Sequence, residues 1–406
     1  MTATNVRLRG ARTVTVDGES RGPSSIVDGR VCASLPGHAY HVDLRDHVIA
    51  PGLINAHEHL HLNAVPPLPT SAPFPNSYAW IAAFQAHFRN PDVVAALAVP
   101  KTLRLRHGAL KNLLAGTTCV VHHDPWHPAL DAADFPVALL RDYGWSYALG
   151  GPAYGPPVWQ SFDATPSDRP WMIHLAEGTD ATARAELAQL DAMGCLAPNS
   201  VLVHGVGLRE RDIDRVIERG AAVIWCPTSN RNLLGRTLDP RRLQAAGRLA
   251  LGSDSRLSGA RDLLEELRVV VDMGALDERE ALALATVDAA RILRLPQRGH
   301  LAAGAQADLL VVVDRGGDAA RSVVGIERGQ IRAVVRDGVP RIADPDFAEW
   351  FEAAGVEAVP VTLDGRPKLL ARALADPVLL ALEPGLEFAS RTEQRAREPA
   401  FAEGRR

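Results

Sequence analysis

The stretch Val48-Ile49-Ala50-Pro51-Gly52-Leu53-Ile54-Asn55-Ala56-His57-Glu58-His59 decides how the rest of the chain is read. Its apolar front half spells a buried strand, and that strand runs directly into two histidines spaced i and i+2. Residues at this spacing share one face of a strand, so both imidazoles leave the strand end on the same side. Alone, such a pair is a weak signal in a chain with 14 His. It gains weight because three later pieces repeat the design: Ile173-His174-Leu175-Ala176-Glu177, Leu202-Val203-His204 and Gly252-Ser253-Asp254 each lie at or just past the end of a short apolar run.

From about residue 48 to 299, strand-like runs (117–121, 145–149, 171–175, 201–204, 222–225, 249–252) alternate with helical stretches (91–114, 181–193, 210–219, 260–273). That alternation predicts an α/β fold, a (β/α)8 TIM barrel over residues 51–299. Residues 150–170 resist the pattern, being short and rich in Pro and Gly, so one βα unit is expected to be missing or degenerate. Such irregular segments are either functional or misassigned, and both readings stay open. Residues 1–50 and 300–345 read as short strands, including 308–313, 322–327 and 330–335. Their turns fall at Asp17-Gly18, Asp28-Gly29, Arg328-Gly329 and Asp337-Gly338. They predict a small composite β-sandwich built from both parts of the chain. Residues 346–406 read as a helical extension with a charged, Arg/Glu-rich end that frays.

Composition narrows the function class. The chain has 406 residues, is 47% hydrophobic and carries a net charge of -4 with no long run of one sign, which argues against nucleic acid or an anionic membrane as partner. Its four cysteines, Cys32, Cys119, Cys195 and Cys226, form no CxxC and no HxE…PCxxC pattern, which excludes a thiolate zinc site and the cytidine-deaminase zinc motif. Residues 1–10 are polar with no apolar core behind them, and no apolar stretch is long enough to span a membrane. A reducing cytoplasm is the expected setting, a small molecule the expected partner, and a homodimer is compatible with the sequence.

Several imidazoles and a carboxylate delivered from separate strand ends are what a Zn²⁺ or Fe²⁺ site with an open position requires. Glu177, three residues beyond His174, stands where the strand has stopped, close enough to serve as a general acid/base without being a ligand. His61 continues the alternation of His57 and His59 and reads as core or as support for the pair.

The spelling is similar to the amidohydrolase superfamily, in the branch of cytosine and guanine deaminases, chlorohydrolases and related aminohydrolases. Pro51 to His59 matches that family's opening strand, His174-Leu175-Ala176-Glu177 its fifth-strand motif, Cys226-Pro227-Thr228-Ser229-Asn230 its seventh and Leu251-Gly252-Ser253-Asp254-Ser255 its eighth. Gly304-Ala305-Gln306-Ala307-Asp308-Leu309 matches the turn back to the small β-domain, so the similarity covers roughly residues 5–340. The resemblance implies His57, His59, His174 and Asp254 as metal ligands, His204 as holder or polariser of water or substrate, and Glu177 as the proton shuttle. It also implies Asp254 as a proton acceptor. Binuclear branches bridge their metals with a barrel lysine. Here Lys101 and Lys111 lie in a helical stretch and Lys368 beyond the barrel, so one divalent metal per chain, Zn²⁺ or Fe²⁺, is expected.

The substrate side is read from weaker signals. Most of the 7 Trp, 5 Tyr and 9 Phe fall within residues 74–171. Tyr78, Trp80, Trp126, Tyr154 and Trp159 are loop-like positions that could line a pocket for a planar ring. Residues 60–86 carry no Lys, Arg, Asp or Glu, which argues mildly against a phosphorylated substrate. In His122-His123-Asp124, one imidazole is a candidate substrate contact, equally readable as a hydrogen-bonded support, and His123 is the one chosen. Arg256, and Arg231 before it, could bind a carboxylate or form a surface ion pair. The expected activity is hydrolysis of a non-peptide C–N bond, removing an amino group from a nitrogen heterocycle. The rivals are hydrolysis of a cyclic amide, loss of halide, and a catalytically silent scaffold.

Overall fold

The computed structural model describes residues 5–15, 18–21, 24–33, 37–150 and 154–389. Eight strands follow in chain order with parallel pairing wherever they are hydrogen-bonded: Leu53–Glu58, Thr117–His122, Ala138–Leu139, Gly144–Trp145, Trp171–Leu175, Ser200–His204, Ala222–Trp225 and Leu249–Leu251. All residues of the longer ones are buried, as parallel strands covered on both faces must be. They form two sheets, of three and of five strands, so backbone ladders do not close a barrel.

The two seams have different causes. Ala138–Leu139 and Gly144–Trp145 are joined only by residues 140–143, whereas neighbouring parallel strands need a crossover of a dozen residues or more. The degenerate unit therefore lies here, one step earlier than the sequence placed it. Residues 150–170 instead hold the short helix Val158–Ala164. At the other seam, Asp254 N donates to His57 O (3.1 Å). Asn55 Nδ2 donates to Ser253 Oγ (2.7 Å) and Ser253 N to Asn55 Oδ1 (3.0 Å). Gly252 permits the approach, since a Cβ there would stand 2.7 Å from the His57 Cβ. The eighth strand is thus stitched to the first next to the histidine pair.

Both parts of the chain outside 51–299 build two further sheets. One has the order Arg30–Cys32, Ser24–Val27, Val6–Arg9, Tyr40–Asp43. The other has nine strands and pairs His47–Pro51 antiparallel with Leu309–Val313. The expected turns at Asp28-Gly29 and Asp337-Gly338 have positive φ at both residues, as tight hairpins require. Asp17 and the charged end 390–406 lie outside the described residues.

Four expectations need correction. The 91–114 stretch is two helices, Pro91–Ala98 and Lys101–Leu114, because Pro100 restricts the residue before it to extended backbone. The strand expected at 145–149 is the pair Gly144–Trp145. The strand expected at 322–327 is the helix Ala319–Val324, capped by Asp318, whose side chain accepts from Ala320 N. Residues 346–389 are not a helical extension. Ala358–Leu363, Arg366–Ala371 and Leu386–Phe388 supply three of the nine strands of that sheet, the first two joined by an Asp364-Gly365 hairpin with φ of 49° and 74°. Among the described residues, no helix is long and apolar enough to cross a membrane.

Candidate active site

Five imidazoles from four strand ends converge. His57 meets His59, His123, His174 and His204 edge-on with ring centroids 4.9, 5.2, 5.0 and 5.6 Å away. Asp254 Oδ1 lies 4.0 Å from His57 Nε2 and 3.8 Å from His59 Nε2. Two donor triads share His57, namely His57/His123/His174 and His57/His204/Asp254, each with its atoms within 4.8 Å of one another. Ala176, His204 and Asp254 adopt positive φ (53°, 77°, 55°). Such conformations cost of order 1–3 kcal/mol each and cluster at functional sites.

Neighbouring groups orient the rings. His59 Nδ1 lies 2.7 Å from Asp124 Oδ2, His174 Nδ1 2.8 Å from Tyr147 O, and His204 Nδ1 2.9 Å from Asn230 Oδ1. Each of these acceptors takes the ring N–H and leaves Nε2 for chemistry, the arrangement that supports metal-binding histidines. Ser229 and Ser258 donate to Asp254 Oδ2 (2.8 and 2.9 Å), and Oδ1 faces the imidazoles while accepting from Ser255 N (2.8 Å).

The donor set fits a divalent transition metal. Both ring nitrogens of His57, and Nδ1 of His123, are buried without a hydrogen-bond partner among the described residues. Burial, reinforced by the neighbouring rings, holds His57 and His174 well below the usual histidine range and His123 down to about 3. Neutral imidazoles with free lone pairs are metal ligands. Burial opposes charge on His59, yet Asp124, Asp254 and Glu58 push it up to about 9, so a cation and a proton compete for its Nε2.

The two nearby carboxyl groups are pushed apart. Burial raises Glu177 above the usual range, although His204 and the Trp80 indole pull it down. Burial acts the same way on Asp254, but His59 and His204 outweigh it and hold that group low. Opposite shifts in adjacent carboxyls are the mark of distinct acid/base roles. Glu177 Oε2 lies 3.8 Å from His204 Nε2, and its Oε1 accepts from Trp80 Nε1 at 2.8 Å. Trp80 reaches it because residues 74–80 are pinned across the strand ends. Ser77 N donates to Glu177 O, Thr179 N to Pro75 O and Phe74 N to Leu233 O, each at 2.8 Å.

Among the expected substrate contacts, Trp80, His123 and Tyr154 are at the site. Tyr154 donates to Asp124 Oδ1 (2.7 Å), and its ring lies 5.2 Å from Tyr147. Trp126 and Arg256 are not available there. Trp126 bonds Asp131 (3.1 Å) under the Arg141 guanidinium. Arg256 is turned away, bidentate to Glu383 (2.9 and 2.8 Å). Tyr78 donates to Glu186 (2.5 Å), and Trp159 is exposed.

Asp124, Tyr147, Ser229 and Asn230 carry orienting contacts that sequence reasoning did not assign. Ser229 and Asn230 lay within a quoted motif, and Asp124 followed the His122-His123 pair. Glu58, between the two histidines, points to the opposite side. There it is fully buried and takes Lys111 Nζ (2.8 Å) and Asn112 Nδ2 (3.0 Å).

Residues 162–341 match the Amidohydrolase family. A 5-methylthioadenosine/S-adenosylhomocysteine deaminase of Nitratidesulfovibrio vulgaris is 26% identical over 363 residues, covering 74% of this chain and 80% of that one. A like-named protein of Syntrophobacter fumaroxidans is 34% identical over 161 residues, 35% of this chain and 37% of that one. The 8-oxoguanine deaminase of Pseudomonas aeruginosa is 34% identical over 129 residues, 30% of this chain and 29% of that one. The chain thus aligns with only about a third of the length of the latter two. The fold is shared with solved structures, among them these two. One is an adenosine deaminase from Xanthomonas campestris with bound zinc (TM-score 0.67, 21% identity, 87% of this chain and 97% of that one). The other is a mutant atrazine chlorohydrolase from Arthrobacter aurescens with zinc and atraton (TM-score 0.68, 19% identity, 86% and 100%).

Proposed function

We propose that this chain, with its amidohydrolase-family match and deaminase-named relatives, is a metal-dependent hydrolase that removes an exocyclic amino group from a planar nitrogen heterocycle. The observation that carries this reading is Glu177. It is a buried carboxyl with a raised pKa, 3.8 Å from His204 and beside a cluster of neutral imidazoles.

In this reading His57, His59, His174 and Asp254 hold one divalent cation, and zinc in the structural neighbours supports Zn²⁺ over Fe²⁺. Such a cation lowers the pKa of a coordinated water from 15.7 to about 7. Glu177 takes a proton from the attacking water and returns it to the departing amine, a transfer an amine needs and a halide does not. Asp254, held ionised, is the alternate acceptor on the other side. His204 Nε2 presents toward the reacting centre while Asn230 fixes its ring. Trp80 locks one oxygen of Glu177, so the other is the one that moves protons.

The substrate is neutral or weakly charged, since Trp80, Tyr147 and Tyr154 supply flat apolar walls and Arg256 is committed elsewhere. The names of the relatives, which concern purine derivatives, support the same class. A cytoplasmic setting goes with this reading. So does a barrel completed around the cluster and carried by a small sandwich of the two accessory sheets.

The test is a panel of amino-purines, amino-pyrimidines, amino-triazines and pterins, read by ammonia release from zinc-loaded protein, with metal counted by elemental analysis. Ammonia from at least one ring and about one metal per chain are expected. Turnover of a lactam or halogenated ring with no ammonia from the panel would refute the deaminase assignment.

A further inference from the structure

His123 has neighbours that a substrate contact would not need. Its ring stacks on His174 with centroids 4.4 Å apart and meets His57 edge-on at 5.2 Å. The donor nitrogens of His57, His123 and His174 lie within 4.8 Å of one another. Imidazole nitrogens that share a zinc ion at about 2.0–2.1 Å lie within about 4 Å of one another, so the three rings stand close to the spacing one ion needs.

Hydrogen bonding fixes which nitrogen of His123 is available. Nε2 lies 3.2 Å from the backbone oxygen of Ser146. A carbonyl only accepts, so Nε2 carries the proton and Nδ1 keeps the lone pair. That Nδ1 is buried and has no partner among the described residues. A buried acceptor left unpaired is costly, and a cation relieves the cost. His174 shows the same logic with the nitrogens exchanged, its Nδ1 donating to Tyr147 O at 2.8 Å. In both rings a backbone carbonyl fixes the tautomer and leaves the other nitrogen with a lone pair, and both rings stand in the three-histidine cluster.

We propose that His123 is a ligand of the metal, bound through Nδ1 beside His57 and His174. The inference rests on the metal-dependent reading above and adds a donor from the end of the second barrel strand. With it the chain would offer five donors to the cation, His57, His59, His123, His174 and Asp254, and would leave Glu177 and His204 as the neighbouring groups free for proton transfer.

The test uses full-length protein labelled with ¹⁵N-histidine and loaded with ¹¹³Cd²⁺, so that nitrogen–cadmium couplings report each ligating imidazole and which nitrogen binds. Four coupled imidazoles are expected, with an Nδ1 coupling that His123→Gln removes. Zinc affinity, measured by chelator competition, should fall in that variant by more than about 100-fold, because losing a residue that only supports a ligand costs about 10–100-fold. His300→Gln, at a distant position, should leave affinity unchanged. If His123→Gln fails to fold, the count in the unmodified protein decides, and three or fewer coupled imidazoles overturn the proposal. An affinity loss below 100-fold with an unchanged coupling pattern overturns it as well. Failure of the unmodified protein to bind either ion would sink this proposal and the metal-dependent reading together, whereas three couplings would sink only this one.

Discussion

Replacing Glu383 by Gln should destabilise the whole chain, although the residue lies far from the imidazole cluster in sequence. Glu383 is fully buried, and three cationic or donor side chains converge on it. Arg256 binds both oxygens (2.8 and 2.9 Å), His107 Nε2 lies 2.8 Å away, and the buried Arg328 guanidinium bonds Oε1. Burial pushes its carboxyl up, yet His107, Arg256 and Arg328 hold it far below the usual carboxylate range.

Glutamine keeps the volume and one acceptor but removes the charge, leaving Arg256 (13% side-chain exposure) without its carboxylate and Arg328 (1%) with Asp364 as its remaining carboxylate partner. Breaking a buried ion pair from one side costs about 3–5 kcal/mol. The retained amide puts Glu383→Gln near the lower end, about 3 kcal/mol. At about 1.2 °C per kcal/mol for a chain of 406 residues, the melting temperature should fall by about 3–4 °C.

The pH dependence follows from the sign of the shift. A carboxyl whose folded pKa is depressed stabilises the fold above its unfolded pKa of about 4.3, and that contribution is lost as pH falls toward the folded value. Calorimetry should therefore show a constant gap between parent and variant from pH 5 to 8, closing below about pH 4. A gap under about 1 °C at neutral pH, or one that widens on acidification, would refute the reasoning.

Three further outcomes bear on the site. Glu177→Gln should retain its metal by elemental analysis and lose about 10²–10⁴-fold in turnover, and loss of metal would make Glu177 a ligand instead. His57→Ala and Asp254→Ala should each lower metal content and melting temperature together, since ligand binding contributes to folding free energy; unchanged metal content in either removes that residue from the ligand set. Trp80→Phe deletes the hydrogen bond that lowers the Glu177 pKa, so the acid limb of the kcat/KM profile should move to higher pH, and a limb that stays in place would separate Glu177 from that limb.

Legibility followed the range of the interactions involved. The strands ending in His57, His174, His204 and Asp254 were readable because burial on both faces makes them continuous apolar runs. Ala138–Leu139 and Gly144–Trp145 were not, because two residues carry no periodicity. The Ala358–Ala371 hairpin carried a readable Asp364-Gly365 turn, but Pro360 and Pro367 argue against strand. Val323-Val324 favoured a strand by propensity, and the Asp318 cap settled a helix. For Arg256 the ion-pair reading is the one the geometry favours, but its partner Glu383 is 127 residues away, beyond any local pattern. For Trp126, Asp131 and Arg141 take up its polar edge and its face, contacts that a loop-like sequence position does not reveal.

The site itself shows why strand ends alone do not specify chemistry. The strands deliver the imidazoles, but their orienting partners come from elsewhere: Tyr147 from the loop after the fourth strand, Asp124 from the loop after the second, and Asn230 from the helix after the seventh. His57 differs, with neither nitrogen hydrogen-bonded among the described residues and with Gly252 approaching it closely across the seam. A substitution in those loops therefore changes which nitrogen carries a proton, and hence cation affinity, without touching a donor. The same loops border the aromatic wall of Tyr147 and Tyr154, and Tyr154 also bonds Asp124. If the proposed function holds, ring recognition and metal tuning run through one set of contacts, so a change of substrate achieved through these loops should carry a change in metal affinity with it.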